Sequence, residues 1–312
     1  MRRINTVIFI VGPTAVGKTR LAVKLAAKIG GEIISCDSMQ IYKGLRILSQ
    51  APTAKDKKSI RHHLVAVLGV GKEYNAASFR RRAVRIINSM IGRKAAVPII
   101  VGGSGLYVKS LIDGLFPSPP ADLKFRNRMR RFIINYGSEK PHKELSNIDP
   151  EAAKKIHPND SRRIIRALEI YHATGHTPTE IKLKTKGIKD LYDIRIFGLM
   201  KPRELLYSDI NTRVDRMFED GALDEVKRLQ RKRLSKTAKA ILGFKEIKGL
   251  LNKKYGFDTA KDLLKKNTRR FAKRQIAWFK QDSRIAWFDV SKMIDEKIIS
   301  RMIKNYQWKE RR

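Results

Sequence analysis

Apolar residues along the chain alternate between short continuous runs and stretches with helical spacing. The run VIFIV (residues 7–11) leads into a glycine-rich turn, and apolar positions then recur every three or four residues in KTRLAVKLA (18–26). EIIS (32–35) and VPIIVGG (97–103) are two further short apolar runs, each followed by a polar or glycine-rich turn. Short buried strands that alternate with amphipathic helices predict a parallel β-sheet with flanking helices.

Three turns follow these predicted strands, at residues 12–19, 37–40 and 102–105. In a parallel sheet the carboxyl ends of the strands lie at one edge, and ligands bind there. We therefore expect the three turns to converge on one site.

The first turn, GPTAVGKT, has the G-x-x-x-x-G-K-[ST] pattern between a strand and a helix, which is the context that a phosphate-binding loop requires. Backbone N–H groups and the helix N-terminus favour an anion there. Lys18 adds a positive charge, and the Thr19 hydroxyl can reach Mg²⁺, the cofactor we expect. The pattern alone does not say which phosphate is bound, and a kinase or NTPase is the default interpretation.

A second region interrupts this alternation. The proline-rich stretch PSPPADLK (117–124) is incompatible with a helix or a central strand, and helical, strongly basic sequence continues to about residue 174. DIRIFGLM (193–200) then predicts another strand, and long amphipathic helices follow. We predict an α/β fold: a P-loop NTPase-like parallel sheet core (1–117 and 198–312) with a mainly helical insertion domain (118–197).

Charge indicates the kind of partner. The 312 residues contain 68 Lys and Arg against 30 Asp and Glu, a net charge of +38 that is spread over both parts of the chain. Such an excess favours a polyanion such as nucleic acid. No apolar run is long enough to cross a membrane. The single cysteine, Cys36, excludes an internal disulfide and a cysteine-based zinc finger, so we expect a cytoplasmic protein. We also expect a monomer.

Eight segments of the chain, in order, carry a recognisable pattern: GPTAVGKT (12–19), CDSMQIYKGL (36–45), HHL (62–64), VGGSGLY (101–107), HPNDSRRIIRALEIYHATG (157–175), RVDRMFEDG (213–221), LGFKEI (242–247) and TRRFAKRQIAWF (268–279). Together they resemble the tRNA dimethylallyltransferase (tRNA isopentenyltransferase) family, bacterial type. The D-S-x-Q-x-Y turn and the T-R-x-x-A-K-R-Q helix make the resemblance specific. One departure is Ala51, which stands where the family commonly has lysine.

The resemblance implies that the loop holds dimethylallyl diphosphate instead of a nucleotide. It implies transfer of the dimethylallyl group to N6 of the adenosine 3′ to the anticodon, in tRNAs reading codons that begin with U. The helical insertion would be a clamp for the tRNA anticodon stem-loop. Transfer to free AMP, ADP or ATP is an alternative, and a P-loop kinase is another.

The resemblance also implies roles for individual residues. Asp37 is the candidate general base, although the residue type and position alone also fit a Mg²⁺ ligand or a simple turn aspartate. Thr14 would donate to the bridging oxygen of the leaving diphosphate, and Arg213 would be a second cation on it. Trp278 and Trp287 are expected in the core. The predicted diphosphate-binding residues are Gly12, Thr14, Ala15, Val16, Gly17, Lys18 and Thr19. The predicted tRNA-binding residues are Asp37, Ser38, Met39, Gln40, Ser104, Arg126, Ser161, Arg162, Arg163, Ile164, Ile165, Gly243, Phe244 and Lys245.

Overall fold

The computed structural model describes residues 6–93, 96–115, 119–183 and 185–307. Its strands are β1 (Thr6–Val11), β2 (Gly31–Ser35), β3 (His62–His63), β4 (Val97–Gly102), β5 (Asp193–Met200) and β6 (Ile285–Asp289). All pair in parallel, in the spatial order β3-β2-β4-β1-β5-β6. The predicted parallel α/β fold is confirmed.

Helices connect and flank these strands. In the first part of the chain they are α1 (Lys18–Ile29), α2 (Ala54–Ser59), α3 (Ala76–Gly92) and α4 (Gly105–Ile112). The middle part contains α5 (Leu123–Tyr136), α6 (Glu139–Ile148), α7 (Pro150–Lys155), α8 (Ser161–Thr174), α9 (Pro178–Leu183) and a 3₁₀ turn at Ile188–Asp190. The last part contains α10 (Arg203–Glu219), α11 (Ala222–Gln230), α12 (Lys236–Lys239), α13 (Phe244–Leu251), α14 (Phe257–Phe279) and α15 (Asp295–Gln307).

Strand β1 lies in the middle of the sheet because its residues are apolar on both faces. It pairs with β4 through Ile8 and Ile99, and with β5 through Phe9 and Ile196. Val7 to Val11 are all at most 1% exposed. Continuous apolar runs of this kind are typical of parallel strands covered by helices on both sides. No described helix is long and apolar enough to cross a membrane.

The chain divides into two compact units: Met1–Ile112 with Ile188–Arg312, and Asp113–Gly187. The second boundary lies ten residues before the predicted one, because β5 begins at Asp193 and is hydrogen-bonded to β1 as part of the sheet. The other predicted boundary, between residues 117 and 118, lies outside the described residues.

The Asp113–Gly187 unit is helical and has its own core. Phe125, Leu145, Ile164 and Leu168 are buried together within it. Apolar residues at helical spacing in α5, α6 and α8 supply this core, which is why the segment folds around itself.

Candidate active site

A cavity of about 530 Å³ lies in the sheet unit, bordered by the turns after β1 and β2 and by the end of β4. Loop residues 49–53 and helix α10 complete its wall. The lining includes Thr14, Ala15, Gly17, Lys18, Thr19, Ser35, Asp37, Gln40, Ala51, Gly102, Arg213 and Arg216. The first two predicted turns and the beginning of the third therefore meet at one site.

The turn after β1 is shaped to expose backbone N–H groups. Ala15 has a left-handed backbone (φ 64°), and Gly17, at φ 91°, is the N-cap of α1. A turn with left-handed residues at alternate positions, followed by a helix N-terminus, forms a concavity that favours anions. Among the predicted diphosphate-binding residues, Gly12 and Val16 are buried within the loop, whereas the other five line the cavity.

Lys18 and Arg213 are two of the cationic side chains that line this cavity. Lys18 donates from Nζ to the carbonyl oxygen of Pro13 at 2.6 Å. Burial, and then the neighbouring Arg213 guanidinium, lower the pKa of Lys18 to about 7, while the Asp37 carboxylate opposes this shift. Burial also lowers the pKa of Arg213 to about 10, so that Arg213 stays charged at neutral pH. The site is therefore positive, and binding of an anion would restore the full charge of Lys18.

Asp37 lies at the end of β2 in a turn that its own side chain stabilises. Its Oδ1 atom accepts a hydrogen bond of 2.8 Å from the Met39 N–H. The turn packs directly against β4: a Cβ atom at Gly102 would lie 2.1 Å from the Cys36 carbonyl oxygen. Only glycine permits this approach, which brings the carboxylate to the phosphate-loop edge of the sheet.

Gln40 lines the cavity, but its amide is engaged within the protein. Its Oε1 atom accepts from the Ser35 hydroxyl at 2.7 Å, and its Nε2 atom donates to the Gln50 carbonyl at 3.0 Å. The residue therefore ties the Asp37 turn to the loop at residues 49–53. Gln40 is predicted to hydrogen-bond to an edge of the adenine, and its amide would have to release Ser35 and Gln50 to do so.

Two residues that hold the site together were assigned no role from the sequence, although Gln275 ends the T-R-x-x-A-K-R-Q motif. Glu225 of α11 is 2% exposed and accepts hydrogen bonds of 2.8–2.9 Å from the backbone N–H groups of Arg46, Ile47 and Leu48. Gln275 of α14 is 7% exposed and bonds to the backbone of Thr14 and of Gly103. Both occupy the buried stripe of their helix, beside Val226 and Ala272. The signal in the sequence for both was a polar residue at a position where the helical spacing predicts an apolar one.

The other predicted tRNA-binding residues of the sheet unit lie in different environments. Ser38 and Met39 are half-buried beside Asp37, and Ser104 is half-buried before α4, where its carbonyl accepts from Tyr107 and Val108. Gly243 and Phe244 are buried at the start of α13, and Lys245 is exposed. Trp278, expected in the core, is 38% exposed because it covers the backbone of Gly105 on one side only.

Helix α8 of the helical unit carries five predicted tRNA-binding residues. Arg162 and Arg163 are exposed, and Ser161 is half-buried at the start of the helix. Ile164 is fully buried and Ile165 is 5% exposed, because they form the apolar face of α8. The two isoleucine side chains therefore pack in the core of the unit, and a contact of residues 164 and 165 with tRNA stays a prediction that concerns their backbone.

Arg126 of α5 is held by a buried partner. Its Nε and Nη2 atoms donate to the two carboxylate oxygens of Glu169 at 2.8 and 2.7 Å. Glu169 is only 1% exposed and also bonds to Arg166. Arg126 therefore stabilises the helical unit, and about a quarter of its side chain remains exposed.

The cavity also offers oxygen ligands suited to Mg²⁺. Thr19 and Asp37 both line it, and the described residues contain no group of three or more His, Cys, Asp or Glu side chains that could hold a metal ion by themselves. Mg²⁺ keeps several waters and binds through one or two protein groups together with phosphate oxygens. The residues present therefore fit a metal that enters with a phosphate ligand.

Known proteins share this architecture along nearly the whole chain. A family model described as IPP transferase matches residues 40–282. A tRNA dimethylallyltransferase of Halothermothrix orenii is 44% identical over 303 residues, which are 96% of this chain and 92% of the relative. The corresponding protein of Carboxydothermus hydrogenoformans is 45% identical over 298 residues, covering 95% and 96%.

Solved structures agree with this relationship. A tRNA isopentenylpyrophosphate transferase from Bacillus halodurans superposes with a TM-score of 0.71 at 38% identity, covering 97% of this chain and 95% of that chain. A eukaryotic dimethylallyltransferase acting on tRNA gives a TM-score of 0.77 at 28% identity, covering 99% and 80%. The chain belongs to the IPP transferase family.

Proposed function

We propose that this chain transfers the dimethylallyl group from dimethylallyl diphosphate to N6 of the adenosine 3′ to the anticodon. Its substrates are tRNAs that read codons beginning with U, and its second product is diphosphate. Family membership supports the reaction class. The observation that carries the assignment of residues is that the cations Lys18 and Arg213 line the same cavity as the carboxylate of Asp37.

This combination suits an alkyl transfer. The leaving diphosphate accumulates negative charge as its bond to the allylic carbon breaks, and fixed positive groups stabilise that charge. Lys18 and Arg213 line the cavity together with the loop at the start of α1, which suits them to this role. The half-buried Thr14 hydroxyl also lines the cavity and donates to the bridging oxygen.

The acceptor amine needs a proton acceptor. N6 forms a bond to the allylic carbon, the carbon–oxygen bond breaks, and the electron pair of that bond remains on diphosphate. The N6 proton then passes to the Asp37 carboxylate. Its Oδ1 atom is held by the Met39 N–H, and its Oδ2 atom accepts no hydrogen bond within the described part of the chain, which leaves Oδ2 for the amine.

Mg²⁺ would be held by the Thr19 hydroxyl together with the diphosphate. When bound, it neutralises part of the charge on the departing group. The protein residues retain the separate tasks of orienting the diphosphate and accepting the proton.

Binding of tRNA is assigned in part to the helical unit Asp113–Gly187. Arg162 and Arg163 project from α8 into solvent, next to the two isoleucines that anchor the helix. A rigid helix with exposed guanidinium groups suits RNA phosphates, which Arg binds in a bidentate manner. A free nucleotide is too small to need such a surface, which favours tRNA over AMP as acceptor.

The proposal is tested by incubating the protein with dimethylallyl diphosphate, Mg²⁺ and a tRNA transcript that reads a codon beginning with U. We expect N6-dimethylallyladenosine in the nucleoside digest, measured by mass spectrometry. The matched control is the same transcript with guanosine at the position 3′ to the anticodon, which should give no product.

Two further assays distinguish the alternatives. Product on AMP at a rate matching that on tRNA would favour a nucleotide prenyltransferase. Phosphoryl transfer from ATP with no prenylated product would favour a kinase. Either result would overturn the proposed function.

A further inference from the structure

Gln275 forms a bridge between two turns of the active site that lie far apart in the sequence. Its Oε1 atom accepts from the Thr14 N–H at 2.8 Å, and its Nε2 atom donates to the Gly103 carbonyl at 3.0 Å. The two bonds fix the orientation of the amide, because each end has the partner that its chemistry requires. One side chain thus connects the loop after β1 to the turn after β4.

The packing around this amide leaves little freedom. A Cβ atom at Gly103 would lie 2.0 Å from Gln275 Nε2 and 3.2 Å from the Gly12 carbonyl oxygen. The glycine turn is therefore in contact with both the bridging amide and the phosphate loop. Gln275 is 7% exposed, so water does not compete well for its two partners.

The same turn also reaches the candidate base. Gly102 packs against the carbonyl of Cys36, the residue before Asp37. A continuous path of contacts therefore runs from the Thr14 backbone through the Gln275 side chain to residues 102–103, and then to the Asp37 turn. At one end is the hydroxyl assigned to the leaving oxygen, and at the other is the carboxylate assigned to the amine.

We propose that Gln275 is a positioning residue that sets the separation between the leaving-group side and the acceptor side of the site. The inference rests on the proposed function. Transfer of the allylic carbon from the diphosphate oxygen to N6 requires these three atoms to lie nearly in line. A misplacement of about 1 Å can cost on the order of 100-fold in rate. Gln275 touches backbone atoms of both sides and need not contact either substrate.

Two substitutions test whether Gln275 sets the geometry of the site or only supports folding of the protein. Gln275→Met keeps the length of the side chain and removes both hydrogen bonds, so single-turnover product formation should fall by about 10–100-fold at every pH. Gln275→Glu keeps the acceptor for Thr14 but turns an oxygen toward the Gly103 carbonyl. That oxygen needs a proton to donate, and its burial favours the protonated form.

The rate of Gln275→Glu relative to the parent should therefore rise by about fivefold or more between pH 8.5 and pH 6.0, as the introduced carboxyl gains its proton. Dividing the rate of the variant by the rate of the parent at each pH cancels the titration of groups that both proteins contain. Titratable or charged groups on the elements that meet at this amide include Lys18, Cys36, Asp37, Tyr107, Arg213, Lys273 and Arg274. Gln281→Glu, which places a carboxyl at an exposed glutamine just beyond the same helix, is the matched control and should give a flat ratio.

The affinity for dimethylallyl diphosphate and for tRNA should change by less than about threefold in both variants, since the proposal concerns alignment. A flat pH ratio for a folded Gln275→Glu protein, or a parental rate for Gln275→Met, would overturn the inference. Failure of both variants to fold would also overturn it, because Gln275 would then determine the fold. If the parent itself makes no prenylated tRNA, the proposed function fails instead.

Discussion

The Lys18 ammonium group donates a hydrogen bond to the carbonyl oxygen of Pro13, in its own loop, at 2.6 Å. The lysine is thereby folded back over the turn that it belongs to. Burial, and next the charge of Arg213, lower its pKa to about 7 although Asp37 acts in the opposite direction. At neutral pH the protein without ligand therefore carries this lysine only partly charged, and anion binding is coupled to its protonation.

Binding of dimethylallyl diphosphate in the absence of tRNA should take up close to one proton at pH 8.5. A lysine of pKa about 7 is almost fully neutral at that pH. The bound anion returns its pKa toward the ordinary value of about 10.4, so the charged form is restored. The measurement is titration calorimetry in buffers that differ in ionisation enthalpy.

Lys18→Met provides the control, because it removes the titrating group and should abolish proton uptake along with much of the affinity. Arg213, with a pKa of about 10, contributes little at pH 8.5 because it is already charged. A phosphate group, with a second pKa of about 6, is fully ionised and also contributes little. Uptake that persists in Lys18→Met would contradict the assignment.

Asp37→Asn should lower the single-turnover rate by about 10²–10⁴-fold, the usual range for loss of a general base. The amide oxygen of asparagine can still accept from the Met39 N–H, so the turn should keep its shape. Affinity for tRNA should remain close to that of the parent. The rate is measured with both substrates saturating.

Asp56→Asn is the matched control for this experiment. Asp56 lines the same cavity but caps helix α2 through Thr53, so its loss affects a surface cap and no proton transfer. We expect its rate to remain within about threefold of the parent. Equal rates for Asp37→Asn and the parent would show that another group accepts the proton.

Much of the fold can be predicted from local sequence patterns, but the long-range hydrogen bonds that support the site cannot. The strand at Asp193–Met200 was predicted with its observed bounds, because eight residues of strand-forming sequence stand between polar segments. Strand β6 was not predicted, because its exposed and buried residues mix within only five positions. Gln275 bonds to a residue 261 positions away, and Glu225 to residues up to 179 positions away. No window of local sequence contains such pairs.

Glu225→Gln should destabilise the protein and loosen the loop that borders the cavity. The carboxylate accepts three backbone N–H groups, whereas an amide places its own N–H₂ against at least one of them. A buried donor left without a partner costs about 1–3 kcal/mol, so the free energy of unfolding should fall by that amount. Chemical denaturation measures the change, and steady-state kinetics should show a raised KM for tRNA.

Glu219→Gln offers a comparison for that variant, since Glu219 is exposed at the end of α10. It should change the free energy of unfolding by no more than about 0.5 kcal/mol. An equally small effect of Glu225→Gln would show that the three N–H groups find other acceptors and that the carboxylate does not hold the loop.

Arg162 and Arg163 should contribute to tRNA affinity through phosphate contacts. Replacing both with glutamine should make the dependence of log K on log salt concentration less steep, by about 0.7 for each lost contact to unpaired RNA. Affinity for dimethylallyl diphosphate should not change. Binding is measured by filter retention at several salt concentrations.

Substitutions of two other residues of the helical unit test whether that effect comes from contacts made by α8. Arg130 is exposed on α5 of the same unit and bonds to Asn127, so Arg130→Gln removes the same charge from a different helix. If Arg130→Gln reduces the slope of log K against log salt concentration as much as the loss of each α8 arginine does, the effect reflects net charge and not a contact by α8.

Ile164 lies beneath the two arginines on the buried face. Ile164→Val should cost about 0.5–1.5 kcal/mol of stability with the salt slope intact, because its methyl groups face the core and not the RNA.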